Sequence, residues 1–204
     1  MPDELVILQL VRLRGRATVE DVADSAGLAS EDVQADFDRL AERGMLQDSR
    51  GRVRLTEAGR SELSTLLEAE RAVVDRAALS GAYNEFHSFN DDFKQLVTEW
   101  QLRGPDTPND HSDPDYDSRI IARLNDIHSS FQPLLGRLVL LAPRLRMYPR
   151  RFDAALQKVN AGDHTWIARP LVDSYHTGWF ELHEDLINLC GRTRAREAAA
   201  GRAQ

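Results

Sequence analysis

The chain has 204 residues, with 26 basic and 33 acidic side chains, a net charge of −7 and a hydrophobic fraction of 42%. That balance suits one large or two small folded domains; it excludes general disorder and a polybasic nucleic-acid binder. The longest apolar run, residues 138–142, is too short to span a membrane, the start Met-Pro-Asp-Glu lacks the basic region of a signal peptide, and the lone Cys190 excludes a disulfide framework. A cytoplasmic location with no membrane partner is therefore expected.

The charge is uneven. Residues 1–60 carry nine basic and twelve acidic side chains, residues 61–118 four and thirteen, and residues 119–204 thirteen and eight, giving nets of −3, −9 and +5. All histidines lie between His87 and His183, and all tryptophans between Trp100 and Trp179. Two modules are expected.

In chain order, Leu5, Leu8, Val11 and Leu13 predict a first helix. Thr18-Val-Glu-Asp21 reads as a capping box opening a second, which Gly27 closes. Ser30 is expected to cap a third helix, whose stripe is Val33, Phe37, Leu40 and Ala41. Two short alternating runs flank Ser49-Arg50-Gly51 and predict a β-hairpin. From Thr56, the apolar positions Leu63, Leu66, Leu67, Val73, Val74 and Ala77 predict one long connecting helix.

The second module reads as all-helical. Phe86, Phe89, Phe93, Leu96, Val97 and Trp100 form an amphipathic stripe. The Pro/Asp-rich stretch Gly104–Ser118 reads as poorly ordered. A helical pattern over Ile120–Leu141 follows, which Pro133 is expected to break or kink. Phe152–Val159 predicts another helix, and a last one containing Pro170 runs to about Cys190. The fold class expected is mainly α: an N-terminal winged helix-turn-helix with a small β-hairpin (1–66), a connecting helix (67–81), an all-α helical-bundle domain for ligand sensing or interaction (82–190) and a flexible tail (191–204).

Residues Val19–Ala26, Leu28–Ser30, Glu31–Arg43 and the phrase Leu55-Thr-Glu-Ala-Gly-Arg60 carry a resemblance to winged-helix transcriptional regulators of the MarR type, over about the first third of the chain. The resemblance implies a homodimer on double-stranded DNA. In such a motif the second helix of the pair enters the major groove, so Ser30 and Gln34 are candidate DNA contacts, with Arg50, Arg52 and Arg54 at the hairpin for phosphates or the minor groove. Glu31, Asp32 and Asp38 have the wrong sign for that groove, so a wing used only for protein contacts stays open. Leu134–Leu138, Arg151–Val159 and Ala161-Gly162-Asp163 faintly resemble the effector domain of FadR-type GntR regulators. That family's metal histidines would fall on Phe152 and Ser174, which cannot serve. The stretch from Phe86 to His183 is also similar to C-terminal appendages of actinobacterial phosphoenolpyruvate-utilising proteins, which would make the module a sensor docked on a metabolic enzyme.

His176 and His183, seven apart, share a helix face with Trp179, roughly 10.5 Å apart along the axis. They read either as structural histidines or as polar lining for a small anionic metabolite, with His87, Asn90, His128 and Tyr175 as further candidate ligand contacts. A His/carboxylate cluster of His87, Asp91 and His128 with His176 or His183 is a weaker alternative; no metal or cofactor is assigned. Glu181 and Glu184 read as solvated, and the cluster Arg144, Arg146, Arg150 and Arg151 around Tyr148 reads as a solvated helix end or an anion receptor. Without GxSxG, P-loop, GxGxxG or HExxH motifs, no catalytic residue is assigned and no enzyme is expected.

Overall fold

The computed structural model describes residues 4–170 and 172–199, the side chain of Arg196 excepted. It is mainly helical with one two-stranded antiparallel sheet. The chain divides into two units. One reaches to Val74 and includes Ile187–Arg192; the other is Asp75–Leu186, continued from Thr193. Among the described residues no helix is long and apolar enough to cross a membrane.

The first unit is built on α1 (Glu4–Arg14), whose Leu5, Ile7, Leu8, Leu10 and Val11 are all buried, a wider face than the four positions read from spacing. Each such side chain contributes about 1.5–3 kcal/mol. The helix α2 (Val19–Ala26) starts in a complete capping box: Asp21 N donates to Thr18 Oγ1, and Thr18 N to the Asp21 carboxylate. Left-handed Gly27 ends it. The next helix, α3 (Ser30–Glu42), is capped by Ala29 with no side-chain bond, so Ser30 is its first residue and not its cap.

Strands β1 (Leu46–Ser49) and β2 (Arg52–Leu55) pair with Ser49 opposite Arg52. That leaves a two-residue turn in which Arg50 (φ 60°) and Gly51 (φ 77°) are both left-handed, the geometry that matches the strands' twist. Backbone bonds between Ala17 and Val53 (3.0 and 2.8 Å) tie the hairpin to the α1–α2 connection. Helix α4 (Glu57–Val73) begins where Thr56 Oγ1 donates to the Gly44 carbonyl (2.7 Å) and accepts from Gly59 N (3.0 Å). The predicted connecting helix is two helices. The chain turns extended at Val74, and Asp75, accepting from Ala77 N and Ala78 N, caps α5 (Arg76–Gln101).

In the second unit α5 packs along α6 (Pro114–Leu141), which continues through Pro133 without ending. Residues 114–118 of the stretch expected to be disordered form its first turn, capped by Asp113. A short 3-10 turn (Pro143–Arg146) leads into α7 (Met147–Asn160). The helix predicted across Pro170 is interrupted there, giving α8 (Thr165–Ala168) and α9 (Tyr175–Leu189). Within the predicted flexible tail, Arg194–Ala199 forms α10 with Glu197 buried, and residues 200–204 lie outside the described residues. The unit's centre is aromatic: Trp179 meets Phe93, Phe131 and Phe86 at ring separations of 4.6, 4.8 and 5.3 Å.

A Cβ on Gly59 would lie 2.1 Å from the Met45 carbonyl oxygen, a backbone atom that cannot swing aside, whereas one on Gly136 would meet nothing. Gly59→Ala is therefore expected to destabilise by about 3 kcal/mol, and Gly136→Ala, in the interior of α6, to stabilise by up to about 1 kcal/mol. Urea denaturation of the two variants checks the pair of opposite signs.

Candidate functional site

Two surfaces, one in each unit, hold most of the sequence-predicted residues. In the first, Arg52 and Arg54 occupy the outward positions of β2, alternating with buried Val53 and Leu55, and Arg50 stands at the turn. Arg52 lies 3.7 Å from the Asp21 carboxylate, and Arg54 donates to Gln47 (2.9 Å). Ser30 and Gln34 are exposed one turn apart on α3, but the Gln34 amide donates to Asp38 (2.8 Å) and is not free to read a base edge unaided. Glu31, Asp32, Asp38 and Glu42 are exposed on the same helix. The antiparallel Ala17–Val53 bridge also places Arg16 opposite Arg54. Sequence reading passes over Arg16 because nothing before the pairing register connects it to the hairpin.

In the second unit, Asn90, His176, Trp179 and His183 come together in one cleft of about 260 Å³ lined by α5, α9 and the start of α10. Trp179 Nε1 donates to Asn90 Oδ1 (3.2 Å), which orients the indole that forms the wall with Phe93. Two cations reach the cleft. Arg194 is committed, paired with Glu184 (2.5 Å) and placed 4.5 Å over the Phe180 ring. Among the described residues the Lys94 ammonium has no partner. Behind the cleft, Tyr83 OH donates to Glu197 (3.1 Å) and lies 3.3 Å from His183 Nε2.

The other predicted contacts are elsewhere. His87 packs edge-on against Tyr83 at 4.4 Å and does not line the cleft. His128 and Tyr175 form a separate group: His128 Nδ1 faces Tyr175 OH at 3.3 Å while its Nε2 faces Asp153 at 3.2 Å. The cluster of His87, Asp91 and His128 with an α9 histidine is not assembled; among the described residues no group of three or more His, Cys, Asp or Glu could hold a metal ion.

The arginine cluster differs most from expectation. Arg144 and Arg151 turn inward, their side chains 2% exposed, toward α9. Arg144 meets Asp185 at 2.8 Å, and Tyr148 OH donates to the same carboxylate at 2.5 Å. Arg151 spans Glu181 (2.6 Å) and Asp173 (2.6 and 3.0 Å). Glu181 is buried and not solvated. Burial alone would lower the Arg151 pKa, but Glu181 and Asp173 outweigh it and hold it above the ordinary range. Burial, then the Asp185 charge, raises the Tyr148 phenol well above its usual value. Arg144 and Arg151 are neutralised within the unit and are not an anion receptor, whereas Arg146 and Arg150 are exposed, as expected of a solvated helix end.

Burial dominates the cleft histidines as well. It lowers His176, and it lowers His183 to about 4, helped by Arg194 and His87 and opposed by Glu197. Burial thus favours the neutral form of both rings. The chain matches no protein-family model, no curated protein and no solved structure.

A histidine held at about 4 when folded takes up its proton near 6.5 when unfolded. Its contribution is thus complete above that value and is lost as pH falls toward 4, on the order of 3 kcal/mol in all. Urea midpoints of the wild type should fall across this window, and His183→Leu should make the slope shallower; equal slopes would contradict the buried neutral ring.

Proposed function

We propose that this protein is a ligand-responsive, DNA-binding transcriptional regulator: a winged helix-turn-helix joined to an all-α effector unit. The observation that carries the reading is the first unit's element order together with its hairpin. Two helices joined by a short turn precede a twisted two-stranded hairpin whose outward face and tip hold Arg50, Arg52 and Arg54, with Arg16 beside them. Arginine forks suit phosphate oxygens, and a two-residue tip is narrow enough for a minor groove. With acid exposed on α3, most of the affinity comes from the hairpin, and Ser30 and Gln34 add base contacts once Gln34 exchanges Asp38 for a base edge. A homodimer supplies the second hairpin for a two-fold operator.

The cleft at Asn90, His176, Trp179 and His183 is the effector site in this reading. One uncommitted cation, Lys94, neutral histidine donors and an aromatic wall suit a small monoanion with an apolar body. The chain runs from the cleft residues of α9 directly into Ile187–Arg192, which belongs to the first unit. A ligand acts through that continuity only as far as it binds two states with different affinity.

The exposed acid of α3 supports a second reading, in which the winged helix docks on a basic face of a metabolic enzyme and touches no DNA. Fluorescence anisotropy with a duplex from upstream of the protein's own gene separates the two. The regulator reading expects binding that weakens with salt. Replacing Arg50, Arg52 and Arg54 by Ala together should then flatten the log–log salt slope by roughly 0.9 for each phosphate no longer neutralised, with the circular dichroism unchanged. Absence of salt-sensitive binding at low ionic strength leaves only the docking reading.

A further inference from the structure

A second cavity, of about 550 Å³, lies at the C-terminal end of α5, between the 102–113 connection and α8. Its polar lining is built from three separate segments. His111 comes from the connection, His164 and Arg169 flank α8, and Gln101 ends α5. The apolar wall is Trp100, which His111 covers at 4.3 Å and His164 meets edge-on at 5.9 Å.

His111 is held with unusual care for a loop residue. Its backbone is left-handed (φ 57°), a conformation unfavourable for a residue with a Cβ. Its N–H donates to Asn109 Oδ1 (3.2 Å), which fixes the turn. Its Nδ1 lies 2.9 Å from Asp117 Oδ2, a carboxylate whose side chain is 9% exposed and whose other oxygen accepts from Asn109 Nδ2 (3.0 Å). Asn109 Nδ2 is also 3.1 Å from the Trp100 carbonyl oxygen, locking the network to α5. A carboxylate behind Nδ1 fixes both the ring's orientation and its tautomer, as in sites where a histidine must present Nε2 to something else. Among the described residues, Nε2 of His111, both ring nitrogens of His164, the Gln101 amide and the Arg169 guanidinium have no polar partner.

The geometry points to this cavity as a binding site for a phosphate monoester. Three separately anchored groups line it: Arg169 and His164 can donate, and His111, with Nδ1 turned to Asp117, presents Nε2 as an acceptor, which suits the oxygens and the one O–H of a monoanionic phosphate monoester. The phosphate O–H would then donate to His111 Nε2. An ionised carboxylate carries no O–H to give the Nε2 acceptor. The ester group would lie toward Trp100. This assignment is independent of whether the first unit binds DNA, because it uses only residues of the second.

The test is NMR of the full chain with ¹³C-labelled histidine rings, titrated at constant pH and ionic strength with glycerol 3-phosphate, inorganic phosphate or acetate. The His111 and His164 signals should move saturably with glycerol 3-phosphate, with half-saturation in about the millimolar range, while the His87 and His128 signals stay in place. Arg169 is exposed, so Arg169→Ala keeps the fold and is expected to weaken binding by about tenfold or more. Asp117→Asn should weaken it as well, with the His111 ring signal broadened or displaced before any ligand is added. No saturable movement, movement unchanged in Arg169→Ala, or an equal response to acetate would overturn the assignment.

Discussion

The second unit depends on neutralising the charges of α9. Of this helix's residues only Phe180 is exposed, yet it carries Glu181 and Asp185 into the interior. Ionised carboxylates there cost several kcal/mol each unless paired and hydrogen-bonded. Arg144 and Arg151 bring the compensating charge, Tyr148 adds a hydrogen bond, and Asp173 accepts from Arg151 Nε and Nη2. A helix anchored by two ion pairs on one side cannot rotate about its axis, so the opposite side, with His176, Trp179 and His183, is presented to α5. The cleft is a consequence of that anchoring.

The same pairing takes part of the charge of a net positive segment out of play. Two of the arginines in residues 119–204 are buried against acids of the same unit, and Arg194 is paired with Glu184. What remains uncommitted at the cavities is Lys94 in one and Arg169 in the other. In the first unit the balance runs the other way. Residues 1–60 are net −3, but the acid stands on α3 and the arginines on the hairpin, so location and not total decides which surface can meet a polyanion.

Much of the local structure is legible in the sequence because the deciding atoms are close along the chain. The Thr18–Asp21 box and the Arg50-Gly51 turn are short-range devices. Asp75, followed by a helical run, is a readable cap as well, and the apolar positions on either side mask it. Ser30 misleads because Ala29 already holds the extended cap conformation. The four cleft residues are readable from α9's seven-residue spacing and the α5 stripe, whereas His87 and His128 fail because their direction depends on neighbours remote in sequence. The inward arginines and the His111–Asp117 pair are hidden for the same reason. Their partners are supplied by tertiary packing or by a left-handed backbone that no periodicity reports.

Paired charges, then, keep α9 buried and oriented. A double-mutant cycle on Arg144 and Asp185, followed by urea denaturation, tests this most directly. Asp185→Leu alone, which removes the carboxylate 2.8 Å from Arg144, is expected to cost about 3–5 kcal/mol. The double replacement Arg144→Met with Asp185→Leu should recover much of that loss. Losses that simply add in the double variant, or an Asp185→Leu protein as stable as the wild type, would contradict it.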